Sequence, residues 1–159
     1  MNLLHNNTLG IDIGSTTVKI AVLDSEQHIL FTDYERHYAN IQETLALLLS
    51  RAKEKLGEMT VSPSITGSGG LTLSGHLNVP FTQEVVAVAN ALQDYAPQTD
   101  VAIELGGEDA KIIYFTGGID QRMNGICAGG TGSFIDQMAS LLQTDAAGLN
   151  TYAKDYKAI

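Results

Sequence analysis

Tryptophan is absent from these 159 residues, proline occurs three times and cysteine once. A lone cysteine excludes an intrachain disulfide framework, so the core must hold the fold, and a reducing cytoplasm is the default expectation. Basic residues are scarce as well, 9 against 18 acidic ones for a formal charge of -9. Without a basic patch to neutralise phosphates, a nucleic acid partner is excluded. No apolar run approaches the roughly 20 residues that cross a bilayer, and no signal peptide opens the chain, so no membrane partner is expected. Linkers, low-complexity tracts and short-period repeats are missing too. What remains is 44% hydrophobic and 17% charged, at a length that buries a sizeable core.

Thr8 to Ile13 and Val18 to Leu23 are β-branched runs around Gly14-Ser-Thr-Thr17, the pattern of a hairpin, with a third strand expected over 28–34. Asn40, with Glu43 three residues on, signals a capping box for a helix carrying Ile41, Leu45, Leu48, Leu49, Ala52 and Leu56 at helical spacing, closed by Gly57. A buried strand is expected over 61–66, ending in Gly67-Ser-Gly-Gly70. A short helix follows over 71–77, then a longer one over 83–95 with Val85, Val86, Ala89 and Leu92 on one face. Residues 101–105 read as a core strand, 111–115 and 119–123 as returning strands, and 133–142 as a helix with Phe134, Met138, Leu141 and Leu142 inward. The segment from Thr151 reads as a helix or its end, and it lacks a stop signal.

Three constellations carry chemistry. In Asp12-Ile-Gly-Ser-Thr-Thr-Val-Lys19 the glycine permits close backbone approach, and Ser15, Thr16 and Thr17 add donors, making a concavity for an anion; Asp12 would then hold Mg²⁺, mostly through water. An ordinary hairpin with a turn-capping aspartate is the competing reading. Glu104-Leu-Gly-Gly-Glu-Asp-Ala-Lys111 repeats the logic: Glu104, Glu108 and Asp109 could orient a metal-bound water, while Gly106 and Gly107 open the backbone to a second phosphate. Glu108 or Asp109 taken singly also reads as part of a solvated charged turn. Cys127 lies in Asn124-Gly-Ile-Cys-Ala-Gly-Gly-Thr-Gly-Ser-Phe134 before a helix, where the dipole favours a thiolate able to act as nucleophile or metal ligand; a small buried apolar residue is the alternative. Glu84 suits a first-turn dipole partner, and His5, His28, His37 and His76 show no metal-ligand spacing and read as solvent-facing or structural.

Taken together, the motifs at 12–19, 104–111 and 124–134 resemble the ATPase activators of 2-hydroxyacyl-CoA dehydratases, the BadF/BadG/BcrA/BcrD family, in order and spacing across nearly the whole chain. The first two alone resemble only the broader actin, Hsp70 and sugar-kinase superfamily; the cysteine motif narrows the match. The resemblance implies an α/β ribonuclease H-like fold, a mixed sheet flanked by helices, with ATP or ADP and Mg²⁺ bound between two such halves. It also implies a homodimer joined through the cluster region, with a bridging [4Fe–4S] cluster that delivers one low-potential electron to the dehydratase on ATP hydrolysis. The partner it implies is either a separate dehydratase component or a covalently linked module, with reduced ferredoxin or flavodoxin as the expected electron donor. By the same resemblance Asp12, Gly14, Ser15, Thr16 and Thr17 form the first phosphate loop, and Glu104, Gly106, Gly107 and Glu108 the second. Cys127 is then a cluster ligand, and Gly129, Gly130, Thr131 and Gly132 place a helix N-terminus toward cluster or phosphates.

Smaller family members usually carry Asp and Gln where this chain has Glu104 and Glu108, so the acidic variant resembles the long multi-module members. A second cluster cysteine and the adenosine-binding half lie downstream of Ile159 in relatives. Residues 1–159 are therefore expected to be an N-terminal ATPase half-domain, one half of a two-lobed module, cut from a longer chain. A dimer offering two thiolates does not complete a cluster that normally takes four, and half a cleft should bind ATP no better than millimolar, since association alone costs roughly 4 kcal/mol or more. Two other readings stay open: a small-molecule kinase of the same superfamily, for which Cys127 is dispensable, and a non-catalytic assembly module of a long polypeptide.

Overall fold

Leu9, Ile11 and Ile13 alternate with Thr8, Gly10 and Asp12, and this period of two sends the first set into the core and the second to the opposite face of β1 (Asn7–Ile13). The computed structural model describes residues 7–125 and 130–157. Its chain divides into two compact units, Met1–Thr99 and Asp100–Ile159.

In the first unit β1 pairs antiparallel with β2 (Thr17–Leu23), which pairs antiparallel with β3 (Ile29–Arg36). Helix α1 (Ile41–Leu56) crosses the core face, and β4 (Val61–Thr66) returns parallel to β1, giving the mixed order β3-β2-β1-β4. Leu45, Leu48 and Ala52 of α1 meet Ile11, Ile13, Val18, Ile20 and Ile65, and Ile13, Leu48 and Ile65 are fully enclosed. Ile65 of β4 donates its N–H to Pro80 and accepts from Thr82 on the side away from β1, which adds a single parallel bridge at Phe81. Pro63 shares that outward parity, so its missing N–H leaves no β1 bond unmade. Helices α2 (Gly70–Leu77) and α3 (Glu84–Tyr95) complete the unit.

The expected capping box is not formed. Asn40 begins α1, but its side-chain amide donates to the Glu43 carboxylate instead of accepting from the first turn, because its backbone stands outside the extended region that aims a cap inward. Gly57 does close α1, at φ 79°, with its N–H on Lys53 O.

The second unit is an antiparallel sheet of β5 (Val101–Leu105), β6 (Ala110–Tyr114) and β7 (Asp120–Met123), followed by α4 (Gly132–Leu141) and α5 (Ala146–Lys154). Among its described residues Ile113, Thr131 and Ala139 are buried. Two expectations fail here. The strand over 101–105 is not a core strand: it is a sheet edge whose Val101, Ile103 and Leu105 are exposed, alternating with half-buried Ala102 and Glu104. In α4 the buried residue is Ala139, whereas Phe134, Leu141 and Leu142 face outward, because the apolar stripe is wider than the contact α5 provides. Helix α3 likewise buries no residue fully, and Val86 is exposed.

Candidate functional site

Asp12 stands at the C-terminal end of β1 directly opposite Lys19 of β2, and the hairpin closes with Gly14 N–H on Thr17 O at 2.9 Å. Cross-strand register puts the two side chains on one face, where Lys19 Nζ lies 2.7 Å from Asp12 Oδ2. Glu104 stands opposite Lys111 in the same way, 2.9 Å apart, and that turn closes with Gly106 N–H on Asp109 O at 2.8 Å. Carboxylate, glycine two residues on, lysine seven residues on: both units build one device. In the second unit Lys111 is 14% exposed and also faces Asp109 Oδ2 at 3.5 Å, so its ion pair is the less screened of the two.

The second turn is tied to α4. The N–H groups of Gly132 and Ser133 donate to Gly106 O and Gly107 O at 3.0 and 2.7 Å, and a Cβ on Gly132 would stand 3.3 Å from Gly106 O. Gly106, Gly107, Thr131 and Gly132 are thereby brought together, with the first helical donors spent on backbone carbonyls. Ser15 is exposed at the first turn beside Thr16 and Thr17, and Glu108 is exposed at the second. Cys127 and Gly129 lie outside the described residues; Gly130 adopts φ 78° just before α4.

Three further residues join the first turn. His37, 8% exposed, donates its backbone N–H to Thr16 O at 3.1 Å. Its Nδ1 accepts from Ala39 N–H at 3.0 Å, which assigns the ring proton to Nε2 and makes that nitrogen the donor to Gly14 O at 3.2 Å. A neutral imidazole thus braces the turn, and of the two readings for His37 the structural one holds. Thr66 is the register partner of Asp12 across the β1–β4 ladder. Gly67, at φ 91°, passes so close that a Cβ would meet both Asp12 Oδ1 and Ile13 O. The sequence signal for Thr66 and Gly67 is the strand over 61–66 followed by Gly67-Ser-Gly-Gly70, the same strand-then-glycine pattern as at the other turns, and it does not by itself mark either residue as part of the site.

The face of β1, β2 and β4 opposite α1 borders a cavity of about 830 Å³ whose walls include Asp12, Lys19, Thr66, Thr82 and Asn90. Asp12 Oδ1 and Thr66 Oγ1 are buried there without a hydrogen-bond partner. An orphaned buried polar atom costs about 1–3 kcal/mol, more when charged. A carboxylate oxygen left open in this way fits a hard, oxygen-seeking cation that keeps its own waters; among the described residues no group of three or more His, Cys, Asp or Glu forms an all-protein metal cage. Among them, too, no helix is long and apolar enough to cross a membrane.

The family model of the BadF/BadG/BcrA/BcrD ATPase family matches residues 9–153. The crystal structure of the Acidaminococcus fermentans (R)-2-hydroxyglutaryl-CoA dehydratase component A superposes with a TM-score of 0.78 at 27% identity, over 96% of this chain and 60% of that one. The activator of the 2-hydroxyisocaproyl-CoA dehydratase from Clostridium difficile, with bound ADPNP, gives 0.76 at 25%, over 96% and 58%. The activator of lactoyl-CoA dehydratase from Anaerotignum propionicum is 32% identical over 86% of this chain and 54% of its own length. The architecture is the actin, Hsp70 and sugar-kinase-like α/β fold, and the chain spans between half and two thirds of the length of these three relatives.

Proposed function

The chain belongs to the BadF/BadG/BcrA/BcrD ATPase family, and from that premise we propose that it is the N-terminal ATPase part of a cytoplasmic activator that serves a 2-hydroxyacyl-CoA dehydratase or a dehydratase-like module. The observation that carries this reading is the duplicated turn: two carboxylate–glycine–lysine devices with identical offsets, the second bonded to the start of the helix that follows the cysteine motif. A related activator binds ADPNP.

In this reading each turn by itself is a phosphate loop, Gly14–Thr17 in the first unit with Lys19 beside it and Gly106–Asp109 in the second with Lys111 beside it. Asp12 would hold Mg²⁺, which when bound would neutralise phosphate charge, and in the second unit Glu104 and Glu108 would orient a water. His37 keeps the first turn in shape while this happens. The bonds from Gly132 and Ser133 to the Gly106 and Gly107 carbonyls would couple a change at this turn to α4, which begins five residues after Cys127.

Electron delivery is the finer part of the proposal: one low-potential electron, taken from reduced ferredoxin or flavodoxin, reaches the dehydratase from a [4Fe–4S] cluster shared by a homodimer, with Cys127 as a ligand. The residues present do not satisfy such a cluster, since the chain has one thiol and a dimer two where four are needed. Cys127 therefore supplies a fraction of the ligand set, and the family resemblance puts the others downstream.

Titration of the chain with Mg·ADPNP by isothermal calorimetry tests the nucleotide reading. Binding in the millimolar range that weakens at least tenfold in Asp12→Asn is expected; no binding to wild type at any accessible concentration overturns it. In the whole activator, Cys127→Ala should abolish dehydratase activation and spare nucleotide binding, whereas unaltered activation would favour a phosphotransferase.

A further inference from the structure

Asp12 Oδ1 and Thr66 Oγ1 are both buried, both unbonded, and belong to residues that line the same cavity. As register partners in a parallel ladder, Asp12 and Thr66 raise their side chains on one face, about one interstrand spacing apart. A hydroxyl rotates freely, so a reachable carboxylate oxygen would be its acceptor; the two remain unpaired, and the separation calls for a third group. Oδ1 can only accept, which restricts that group to a donor or a cation on the Asp12 side, whereas Oγ1 serves as donor or acceptor. Lys19 already occupies the other carboxylate oxygen and does not reach this one. Gly67 holds its backbone against Oδ1, and any side chain there would displace that oxygen.

We propose that Thr66 completes a divalent-cation site with Asp12, the carboxylate supplying charge through Oδ1 and the threonine hydroxyl bonding the cation's hydration shell. This rests on the reading of Asp12 as the cation carboxylate and adds to it the residue that orients the hydrated ion. A magnesium-like ion suits the pair because it takes few carboxylates, keeps several waters and needs polar groups to hold those waters in place. Gly67 is the small residue that lets the strand end pass close enough to set Oδ1.

The test uses Mn²⁺ alone, followed through the electron paramagnetic resonance signal of the free ion, on the 159-residue chain and its Thr66→Val, Thr66→Ser and Asp12→Asn variants. Thr66→Val, which keeps shape and branching, should raise the Mn²⁺ dissociation constant about five- to tenfold. Thr66→Ser should stay within about twofold of wild type, and Asp12→Asn should lose the site. Wild-type affinity in Thr66→Val overturns the proposal, as does a wild-type chain with no Mn²⁺ site. A Thr66→Val chain that melts higher with Mn²⁺ affinity unchanged also overturns it, by showing that the hydroxyl is only a buried cost or the partner of a trapped water. Mg·ADPNP binding by separate samples of the same chains separates the two readings: nucleotide bound with Thr66 indifferent to Mn²⁺ sinks this inference alone, and Thr66-dependent Mn²⁺ binding without any binding of Mg·ADPNP sinks the nucleotide reading alone.

Discussion

Lys19 engages one oxygen of Asp12 at 2.7 Å while half exposed to solvent, so the pair is screened and holds the turn only weakly. Its larger effect falls on ligands: an ammonium on the carboxylate repels a metal ion and attracts a phosphate. Lys19→Met should therefore bind Mn²⁺ about three- to tenfold more tightly and inorganic phosphate more weakly, an opposed pair of shifts that nuclear magnetic resonance titration can read. At the far end of β2, Asp24 accepts the N–H groups of His28 and Glu26 at 2.9 and 2.8 Å, and the His28 backbone bond chiefly holds its carboxyl below the usual aspartate range. A folded-state value below the unfolded one contributes stability above the unfolded value, and that contribution is lost as pH falls through the folded one. Asp24→Asn should accordingly flatten the acid limb of a plot of melting temperature against pH. Arg51 of α1, bonded to Asp33 and Glu35 of β3, is held more firmly protonated by those bonds.

Helix α1 is the element whose packing decides the first unit. Leu48 is fully buried against the sheet, and Leu48→Ala should cost about 2–5 kcal/mol in denaturant unfolding. The strand-then-glycine grammar was readable for the turns at 12–19 and 104–111, because apolar runs ending in glycine need no tertiary information; the pairing of Lys19 with Asp12 and of Lys111 with Glu104 emerges only from the strand registers. Burial was less readable. Ile103, Leu141 and Leu142 are apolar, but whether an apolar stripe is covered depends on which elements meet it, and neither β5 nor α4 is covered on that side among the described residues. The Asn40–Glu43 pattern matched a capping box in spelling and not in backbone geometry. Thr66 escaped attention because its part arises only from register with Asp12, 54 positions away in sequence and adjacent in the ladder.

At the scale of the whole molecule, the apolar surface has a consequence in solution. β5 is an edge strand carrying Ile103 at 70% and Leu105 at 65% exposure, an arrangement that invites pairing with another chain. Sedimentation velocity should show concentration-dependent association that the double substitution Ile103→Lys with Leu105→Lys suppresses. After anaerobic reconstitution the same chain should hold fewer than four iron atoms per dimer, since one cysteine per chain leaves half the thiolates unsupplied.

The ion pair between Asp12 and Lys19 also carries a thermodynamic consequence. With the ammonium already seated on the carboxylate, a metal ion arriving alone meets a like charge and an anion arriving alone meets a neutralised one, so each binds more weakly alone than beside the other. Arriving together they relieve each other: the cation draws the carboxylate, and the released lysine draws the phosphate. Binding of the two is then reciprocal, each raising the affinity of the other by the same factor, as linkage requires. The turn responds to a metal–phosphate complex far more strongly than to either of its parts.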